Sequence, residues 1–369
     1  MRSSRRMAWV LAVAAVVAGS TGIMAGPANA APAVKAGEAS QLLKKGEFND
    51  PTLEDGVLTV EGTNESDKIA LRLQAGQPGI LQIDVGDDGS ADFDFERATV
   101  ARIAVNAGNG DDLVRIDESN GVFTDSIPTT IDGGNRNDNL VGGSGAGTLS
   151  GGNGNDTLVG GPGAETLLGG NGDDSIDGNK GTDVAFMGNG GDTFVWDNGD
   201  GSDTVEGQNG ADTMVFNGAP GDEQIDLSAD GSRLRFFRVQ GPILMDTDGV
   251  ERVDVNPLGG ADLVTVNDLA ETDVNDVNID LAGTPGGTTG DGQRDRVIVN
   301  ATDGNDTIDV SGDAGAVNVA GLAATVRVLH AEVANDRLEI NTLLGTDTVN
   351  PGGLAAGVIQ LFVDGALVP

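Results

Sequence analysis

The sequence predicts an all-β fold, a parallel β-solenoid in which short strands alternate with glycine-rich turns. Three observations indicate this fold. A nonapeptide repeat occupies residues 133–215, glycine accounts for 59 of the 369 residues, and the flanking segments alternate apolar and polar residues over short runs. Aromatic residues make up only 3% of the chain, which argues against a conventional globular core, while recurring Val, Ile and Leu argue against disorder.

The repeat begins at Gly133 and continues in nearly unbroken phase to Val215. Its units read GGNRNDNLV, GGSGAGTLS, GGNGNDTLV, GGPGAETLL, GGNGDDSID, GNKGTDVAF and MGNGGDTFV and then, after Trp196-Asp197, NGDGSDTVE and GQNGADTMV. An isolated related unit, AGNGDDLVR, begins at Ala107. One unit alone buries almost nothing, so the units have to stack on one another.

Each position of the unit has a physical role. Glycine at the first, second and fourth positions permits positive φ angles and the close backbone approach of a tight turn. Such a turn directs several backbone carbonyls into one loop, to which the aspartate at position six adds a carboxylate. Oxygen donors without nitrogen or sulfur suit a hard cation, calcium above all. Positions seven to nine are predicted to form a short strand whose eighth residue, such as Leu149 or Leu158, points inward.

The repeat resembles the RTX, or hemolysin-type, calcium-binding repeat of secreted bacterial proteins, whose pattern is G-G-x-G-x-D-x-U-x with U a large apolar residue. Residues 151–159 and 169–177 match this pattern at every position. The resemblance implies a right-handed parallel β-roll in which two units form one coil and calcium ions bind between the loops of successive coils. Each unit then pairs with the next but one, eighteen residues along the chain.

This pairing divides the sixth-position residues between two edges of the roll. One edge carries Asp138, Asp156, Asp174 and Asp192, and we expect it to bind calcium well except near Arg136, which replaces a fourth-position glycine. The other edge carries Gly147, Glu165, Asp183 and Asp203, so we expect poor binding near Gly147 that recovers along the chain. The predicted ligands of several calcium ions are Asp138, Asp156, Glu165, Asp174, Asp183, Asp192, Asp203 and Asp212, with the loop glycines Gly152, Gly154, Gly170 and Gly172.

Residues 1–30 are predicted to be a signal peptide, because Arg2, Arg5 and Arg6 precede an apolar run and the small-residue site 28–30. We therefore expect a secreted, extracellular mature protein without a membrane span. Removing three arginines and no acid changes the net charge from −37 to −40, which disfavours nucleic acid and anionic membranes as partners. Cysteine is absent, so disulfides are excluded and a metal is the candidate stabiliser.

The remaining chain divides into four predicted parts: a linker (31–51), an N-terminal β-rich flank (52–132), the β-roll (133–215) and a C-terminal β-rich flank (216–369). The flanks are interpreted as degenerate β-solenoid extensions that cap the roll, with a separate C-terminal β-sandwich as the alternative. Isolated Gly-x-Asp sequences in the flanks, such as 260–262 and 304–306, are explained at least as well by plain turns as by calcium.

The predicted function is that of a calcium-binding protein with a structural or surface role, and no catalytic residues are identified. The single histidine, His330, excludes an H-E-x-x-H protease, and residues 142–146 fail the G-x-S-x-G pattern of a hydrolase. One alternative is that threonines at position seven form an outer face that binds polysaccharide, a cell surface or ice. A third hypothesis is a carbohydrate-active hydrolase or lyase that uses a carboxylate pair.

Overall fold

The computed structural model describes residues 48–313 and 315–369, so the predicted signal peptide and most of the predicted linker lie outside the described residues. The end of that linker packs on the fold, since Phe48 is buried in its core. The described residues form β-strands and one 3-10 turn, Arg97–Thr99. None of their helices is long and apolar enough to cross a membrane.

The strands follow one another along the whole described chain. The first seventeen are β1 (Thr52–Glu54), β2 (Val57–Glu61), β3 (Lys68–Gln74), β4 (Gln77–Val85), β5 (Phe93–Glu96), β6 (Arg102–Asn109), β7 (Leu113–Asp117), β8 (Thr129–Asn135), β9 (Asn139–Val141), β10 (Gly147–Asn153), β11 (Thr157–Val159), β12 (Thr166–Asn171), β13 (Ser175–Asp177), β14 (Val184–Gly190), β15 (Thr193–Trp196), β16 (Thr204–Gly210) and β17 (Thr213–Asn217). The others are β18 (Gln224–Asp230), β19 (Arg233–Arg238), β20 (Ile243–Asp248), β21 (Arg252–Asn256), β22 (Leu263–Val266), β23 (Asp276–Asp280), β24 (Arg296–Asn300), β25 (Thr307–Asp313), β26 (Ala316–Ala320), β27 (Thr325–Leu329), β28 (Arg337–Asn341), β29 (Thr348–Leu354), β30 (Gln360–Val363) and β31 (Ala366–Leu367).

These strands form two sheets, with the chain passing from one to the other in each coil. The first sheet has the order β1-β2-β6-β8-β10-β12-β14-β16-β20-β19-β18-β22-β24-β28-β30-β31. The second has the order β5-β4-β3-β7-β9-β11-β13-β15-β17-β21-β23-β27-β26-β25-β29. We call the loops that lead from the first sheet to the second the first edge, and the loops that lead back the second edge.

Within the repeat, successive coils pair in parallel at a spacing of eighteen residues. Leu149 lies opposite Leu167 in the first sheet, and Leu158 lies opposite Ile176 in the second. All four side chains are buried, so the eighth position faces the interior as predicted. The all-β, parallel β-roll prediction is confirmed.

The two sheets differ in strand length within the repeat. The second-sheet strands β9, β11 and β13 cover only positions seven to nine, as the unit predicts. The first-sheet strands continue further, since β10 extends through Gly151 and Gly152 to Asn153. Gly152 and Asn153 keep their partners Gly170 and Asn171 in the next coil, so the ladder continues into the turn.

The extra dipeptide Trp196-Asp197 forms a corner and lengthens one coil to twenty residues, so that Thr193 pairs with Thr213. The Trp196 indole stacks on Phe216 with ring centroids 4.2 Å apart, and its Nε1 donates to the carbonyl oxygen of Gly201 at 2.8 Å. The insertion therefore adds a large aromatic side chain to the core beside Phe216.

The flanks continue the same two sheets, and no separate sandwich forms. In the first sheet β16 pairs with β20, the strands β20, β19 and β18 pair antiparallel, and β18 pairs in parallel with β22. The second sheet repeats this arrangement with β23, β27, β26, β25 and β29. In each case the chain first forms the strand that lies furthest along the sheet, β18 or β25, and leaves two strand positions empty. The next two strands then fold back antiparallel into those positions. Antiparallel strands β1 and β31 cover both ends of the first sheet, and β4 and β5 cover one end of the second, which protects those edges.

Close stacking of the loops predicts different outcomes for two glycine substitutions. Gly154 has φ +134°, and a Cβ there would collide with the backbone of Arg136 in the previous coil. Gly199 has φ +119°, but a Cβ there would meet nothing within 4 Å. Both alanine variants carry the cost of positive φ, and only Gly154→Ala adds an overlap, which costs about 1–3 kcal/mol. We expect Gly154→Ala to lose more unfolding free energy than Gly199→Ala in urea titrations with calcium present. Equal losses would contradict the stacking.

Candidate metal centre

The loops of the first edge share one backbone conformation. The second and fourth residues of the unit have positive φ: +106° at Gly152, +134° at Gly154, +116° at Gly170 and +124° at Gly172. Arg136, at a fourth position, is also held at +79°, a conformation that disfavours side chains with a Cβ. The loop at Arg136, where weaker calcium binding is predicted, therefore keeps the geometry of the turn at the cost of local backbone strain.

The sixth-position carboxylates of the first edge form a hydrogen-bonded ladder. The backbone N–H of Asp138 donates to Oδ1 of Asp156 at 2.7 Å, and the same bond links Asp156 to Asp174 and Asp174 to Asp192. The ladder extends beyond the repeat in both directions, so the unit at 107–115 is not isolated. Its members in order are Asp67, Asp112, Asp138, Asp156, Asp174, Asp192, Asp212 and Glu251.

The second edge carries a shorter ladder. The N–H of Glu165 donates to Oδ1 of Asp183 at 2.7 Å, and the N–H of Asp183 donates to Oδ1 of Asp203 at 2.8 Å. The ladder does not reach the Gly147 coil. There the loop N–H groups of Ser144 and Gly145 donate instead to side chains of the preceding loop, at Glu118 and Thr124.

All ladder bonds point the same way, from the N–H of one coil to the carboxylate of the next. The first acid of each ladder accepts no bond from an earlier coil and instead accepts one within its own loop. Asp67 accepts from the N–H of Thr63 at 2.6 Å, and Glu165 accepts from the N–H of Gly161 at 3.0 Å.

Each ladder carboxylate uses one oxygen in this way, and in most of them the second oxygen is buried without a hydrogen-bond partner. Apart from the half-buried Asp67 and Glu251, the ladder acids are at most 3% exposed. The unpartnered atoms in the ladders of the repeat are Oδ2 of Asp112, Asp138, Asp156, Asp174, Asp183, Asp192 and Asp212, and Oε1 of Glu165. A buried carboxylate oxygen without a partner is costly, so it is a position where a ligand is expected.

A small cradle lies beside the unpartnered oxygen in the first-edge loops whose first position is glycine; Ala107 and Met187 stand at that position in the units of Asp112 and Asp192. A Cβ built on Gly151 would collide with Oδ2 of Asp156 and lie 2.7 Å from the carbonyl oxygen of Gly169 in the next coil. At Gly133 the same construction meets Oδ2 of Asp138 and, at 2.8 Å, the carbonyl oxygen of Gly151. The first-position glycine therefore leaves open the space between a carboxylate of one coil and a carbonyl of the next.

The donors around these cradles are carboxylate and carbonyl oxygens, which fit a hard divalent cation such as calcium. Among the described residues, no three His, Cys, Asp or Glu side chains come together as a metal-binding group. A cation in a cradle would therefore be held by one or two ladder carboxylates together with backbone carbonyls.

Burial raises the pKa of the ladder carboxyls. The pKa of Asp138, Asp174, Asp183 and Asp203 rises to about 7, because desolvation opposes the charged form. Backbone N–H donors act in the opposite direction and neighbouring carboxylates reinforce the rise. In the described part of the chain, no ion pair reaches a ladder acid between Asp138 and Asp212.

Some acids in the flanks, by contrast, have arginine partners. Arg72 bonds Asp84 at 2.7 Å in a buried pair, and Arg238 bonds Glu223 through Nε at 2.6 Å. These pairs compensate carboxylate charge without a metal.

Sequence reasoning missed a second ladder on the first edge, formed by asparagine amides at position three. The Nδ2 of Asn153 donates to Oδ1 of Asn135 at 3.0 Å, and Asn171 and Asn189 continue the row at 2.8 Å per bond. A signal was present in the sequence, since every first-edge unit of the repeat has Asn at its third position. The second-edge units have Ser144, Pro162, Lys180 and Asp200 there.

The alternative sites are not assembled into one surface. The position-seven threonines lie on both sheets: Thr148, Thr166 and Thr204 on the first, and Thr157, Thr193 and Thr213 on the second. Val184 interrupts the first row and Ser175 the second. His330 follows the end of β27, where its Nδ1 lies 2.6 Å from Oδ1 of Asp280.

Comparison with known proteins agrees with this geometry. A family model described as the RTX calcium-binding nonapeptide repeat (4 copies) matches residues 132–164, 159–194 and 198–225. These residues are thus similar to RTX calcium-binding repeats, and in the structure they form a parallel β-roll. No curated protein matches the chain.

The raised pKa values predict how pH affects the calcium-free protein. Folded ladder carboxyls such as Asp138 and Asp174 bind protons up to about pH 7, whereas unfolded carboxyls release theirs near pH 4. Stability is therefore lost as pH rises from about 4 to about 7. With chelator present, we expect the melting temperature to be lower at about pH 8 than at about pH 5. Calorimetry in two buffers should also detect proton release on calcium binding near pH 7. A melting temperature that rises over this interval in chelator would contradict the prediction.

Proposed function

We propose that the mature chain is a secreted protein whose β-roll is folded and held by calcium ions, with a structural rather than a catalytic role. The observation that carries this proposal is the row of buried carboxylates, one per coil, each with an unpartnered oxygen beside a carbonyl-lined cradle. At neutral pH this row needs a positive charge that no nearby basic side chain supplies.

The proposed ligands are the ladder carboxylates and the carbonyls of the glycine-rich turns. On the first edge, Asp156 and Asp174 each lie between two acid-bearing coils, so each contributes to two cradles. On the second edge, Glu165 has an acid on one side only, because Gly147 occupies the other. The full proposed set is Asp138, Asp156, Glu165, Asp174, Asp183, Asp192, Asp203 and Asp212, with Gly152, Gly154, Gly170 and Gly172 in the turns.

Calcium is proposed over magnesium because loops built from carbonyls allow a large and flexible coordination shell. Magnesium requires a compact octahedral shell and gives up its water reluctantly. Extracellular modules bind calcium at roughly 0.1–1 mM, which suits the predicted export of this chain. The segment 133–215 carries thirteen acids against Arg136 and Lys180, so in the absence of the ion its loops repel one another.

The metal supplies folding free energy where the loops cannot stack without it. We expect circular dichroism of the mature protein to show β-structure growing on calcium addition, with a midpoint of roughly 0.1–1 mM. Magnesium at equal concentration, and sodium chloride at equal ionic strength, serve as controls and should not reproduce the change. A β-rich spectrum that chelator leaves unchanged, or equal folding in magnesium, would overturn the proposal.

The two edges are expected to respond differently to loss of one charge. Asp156→Asn and Asp174→Asn keep an oxygen for the ladder bond but remove a carboxylate from two cradles, whereas Glu165→Gln affects one. We expect the first two variants to raise the calcium midpoint by about tenfold, which corresponds to about 1.4 kcal/mol, and Glu165→Gln to raise it less. Calcium titrations under one salt condition make the comparison. If Glu165→Gln is as damaging as Asp156→Asn, the assignment of the two edges is wrong.

A further inference from the structure

The second edge carries another carboxylate ladder, in the C-terminal flank. The N–H of Glu223 donates to Oδ1 of Asp262 at 2.7 Å, that of Asp262 to Asp295 at 2.9 Å, and that of Asp295 to Asp336 at 3.1 Å. These acids lie 39, 33 and 41 residues apart, so no nonapeptide phase connects them. The last three also lie beyond residue 225, where the repeat match ends.

The loop before Asp262 has the turn geometry of the repeat without its sequence. Leu258 has φ +75° and Gly260 has φ +133°, the same pair of left-handed positions that Gly152 and Gly154 occupy in the roll. A leucine is disfavoured in this conformation, so the surrounding structure holds it there. This flank loop thus has the two left-handed backbone positions of a repeat loop, although a leucine stands where the repeat has a glycine.

Asp262, at the end of this loop, has an oxygen without a partner. The residue is 2% exposed, Oδ1 accepts the ladder bond, and Oδ2 is buried without a hydrogen-bond partner. The pKa of Asp262 is raised to about 8, mainly by burial, with a contribution from the nearby Asp295, Glu223 and Asp291 carboxylates. A buried carboxylate oxygen of this kind indicates an absent positive partner.

Two more acids join the same loops. Oδ2 of Asp291 accepts the N–H of Gly260 at 2.7 Å, and Oε2 of Glu332 accepts the N–H of Gly292 at 2.7 Å. No ion pair within the described chain reaches Asp262, Asp291, Asp295, Glu332 or Asp336. The first acid of the ladder differs, because Glu223 is paired with Arg238. The uncompensated charge is therefore concentrated from Asp262 onward.

We propose that the loops 257–262, 290–295 and 331–336 form a second metal site, which binds a hard divalent cation, calcium above all. Asp262 and Asp295 provide its carboxylate oxygens, and carbonyls of the turn at Leu258–Gly260 complete the shell. The site is separate from the calcium sites proposed for the roll, since it shares none of their residues. It secures the C-terminal flank rather than the repeat.

Hydrogen–deuterium exchange of the full mature chain, with and without calcium, tests the site segment by segment. We expect calcium to slow exchange in peptides covering 257–336 as well as in those covering 133–215. In Asp262→Asn, protection of 257–336 should require about tenfold more calcium, while protection of 133–215 should be unchanged. The Asn side chain keeps an oxygen that accepts the backbone N–H of Glu223, so the ladder bond survives the substitution.

Asp303→Asn is the matched control, because Asp303 is an exposed acid outside these loops, and it should behave as wild type. With chelator, Asp262→Asn should melt no lower than wild type, since the variant removes the cost of burying this carboxyl without a partner; a purely structural carboxylate would give a lower melting temperature. If Asp262→Asn fails to fold, Asp295→Asn replaces it. Calcium protection of the roll without any in 257–336 would overturn this site and leave the proposed function standing. Calcium protection in 257–336 without any in 133–215 would overturn the proposed function and leave this site standing.

Discussion

The fold depends on compensating a stack of carboxylates that repeats once per coil. Neighbouring strands lie about 4.8 Å apart, so acids in successive loops face one another at nearly that distance. At an effective dielectric constant of about 20, two such charges repel by about 3 kcal/mol. The ladder N–H bonds lower this cost but satisfy only one oxygen of each carboxylate. Apolar packing cannot offset the remaining repulsion between carboxylates, because a coil of eighteen residues buries only two position-eight side chains, such as Leu158 and Leu167.

The two kinds of region compensate their acids in different ways. The roll leaves its ladder carboxylates without basic partners, so under the proposed function its stability depends on bound calcium. In the flanks some acids instead pair with arginines on or beside antiparallel strands, such as Asp84 with Arg72 and Glu223 with Arg238. Arg238 belongs to β19, one of the strands that the chain inserts by folding back. The hairpin thus places a positively charged arginine next to a ladder acid at the point where the regular repeat ends.

Much of the roll follows from its sequence, because each unit sets its own turn, strand and inward residue. The inward Leu158 follows from the unit itself, whereas the eighteen-residue register and the division into two edges came from the resemblance to RTX repeats. The inserted hairpins were not predicted, since alternation in β18 or β25 indicates a strand but not its partner. Asp295 and Asp336 were missed for a related reason: irregular spacing hides the ladder until the sheets align it. The sequence does show the asparagine row at position three, but only when the units of the two edges are compared separately.

The single direction of the ladder bonds makes the two ends of the solenoid unequal. If folding starts at the N-terminal end, each finished coil presents a free N–H, which water satisfies cheaply, and the next coil brings the carboxylate that accepts it. Growth from the other end would present carboxylate oxygens, which water or a cation satisfies. Asp67 and Glu165 need no predecessor, because they bond within their own loops. The polarity of the hydrogen bonds thus gives the two growing ends different chemistry, a backbone N–H at one and a carboxylate at the other.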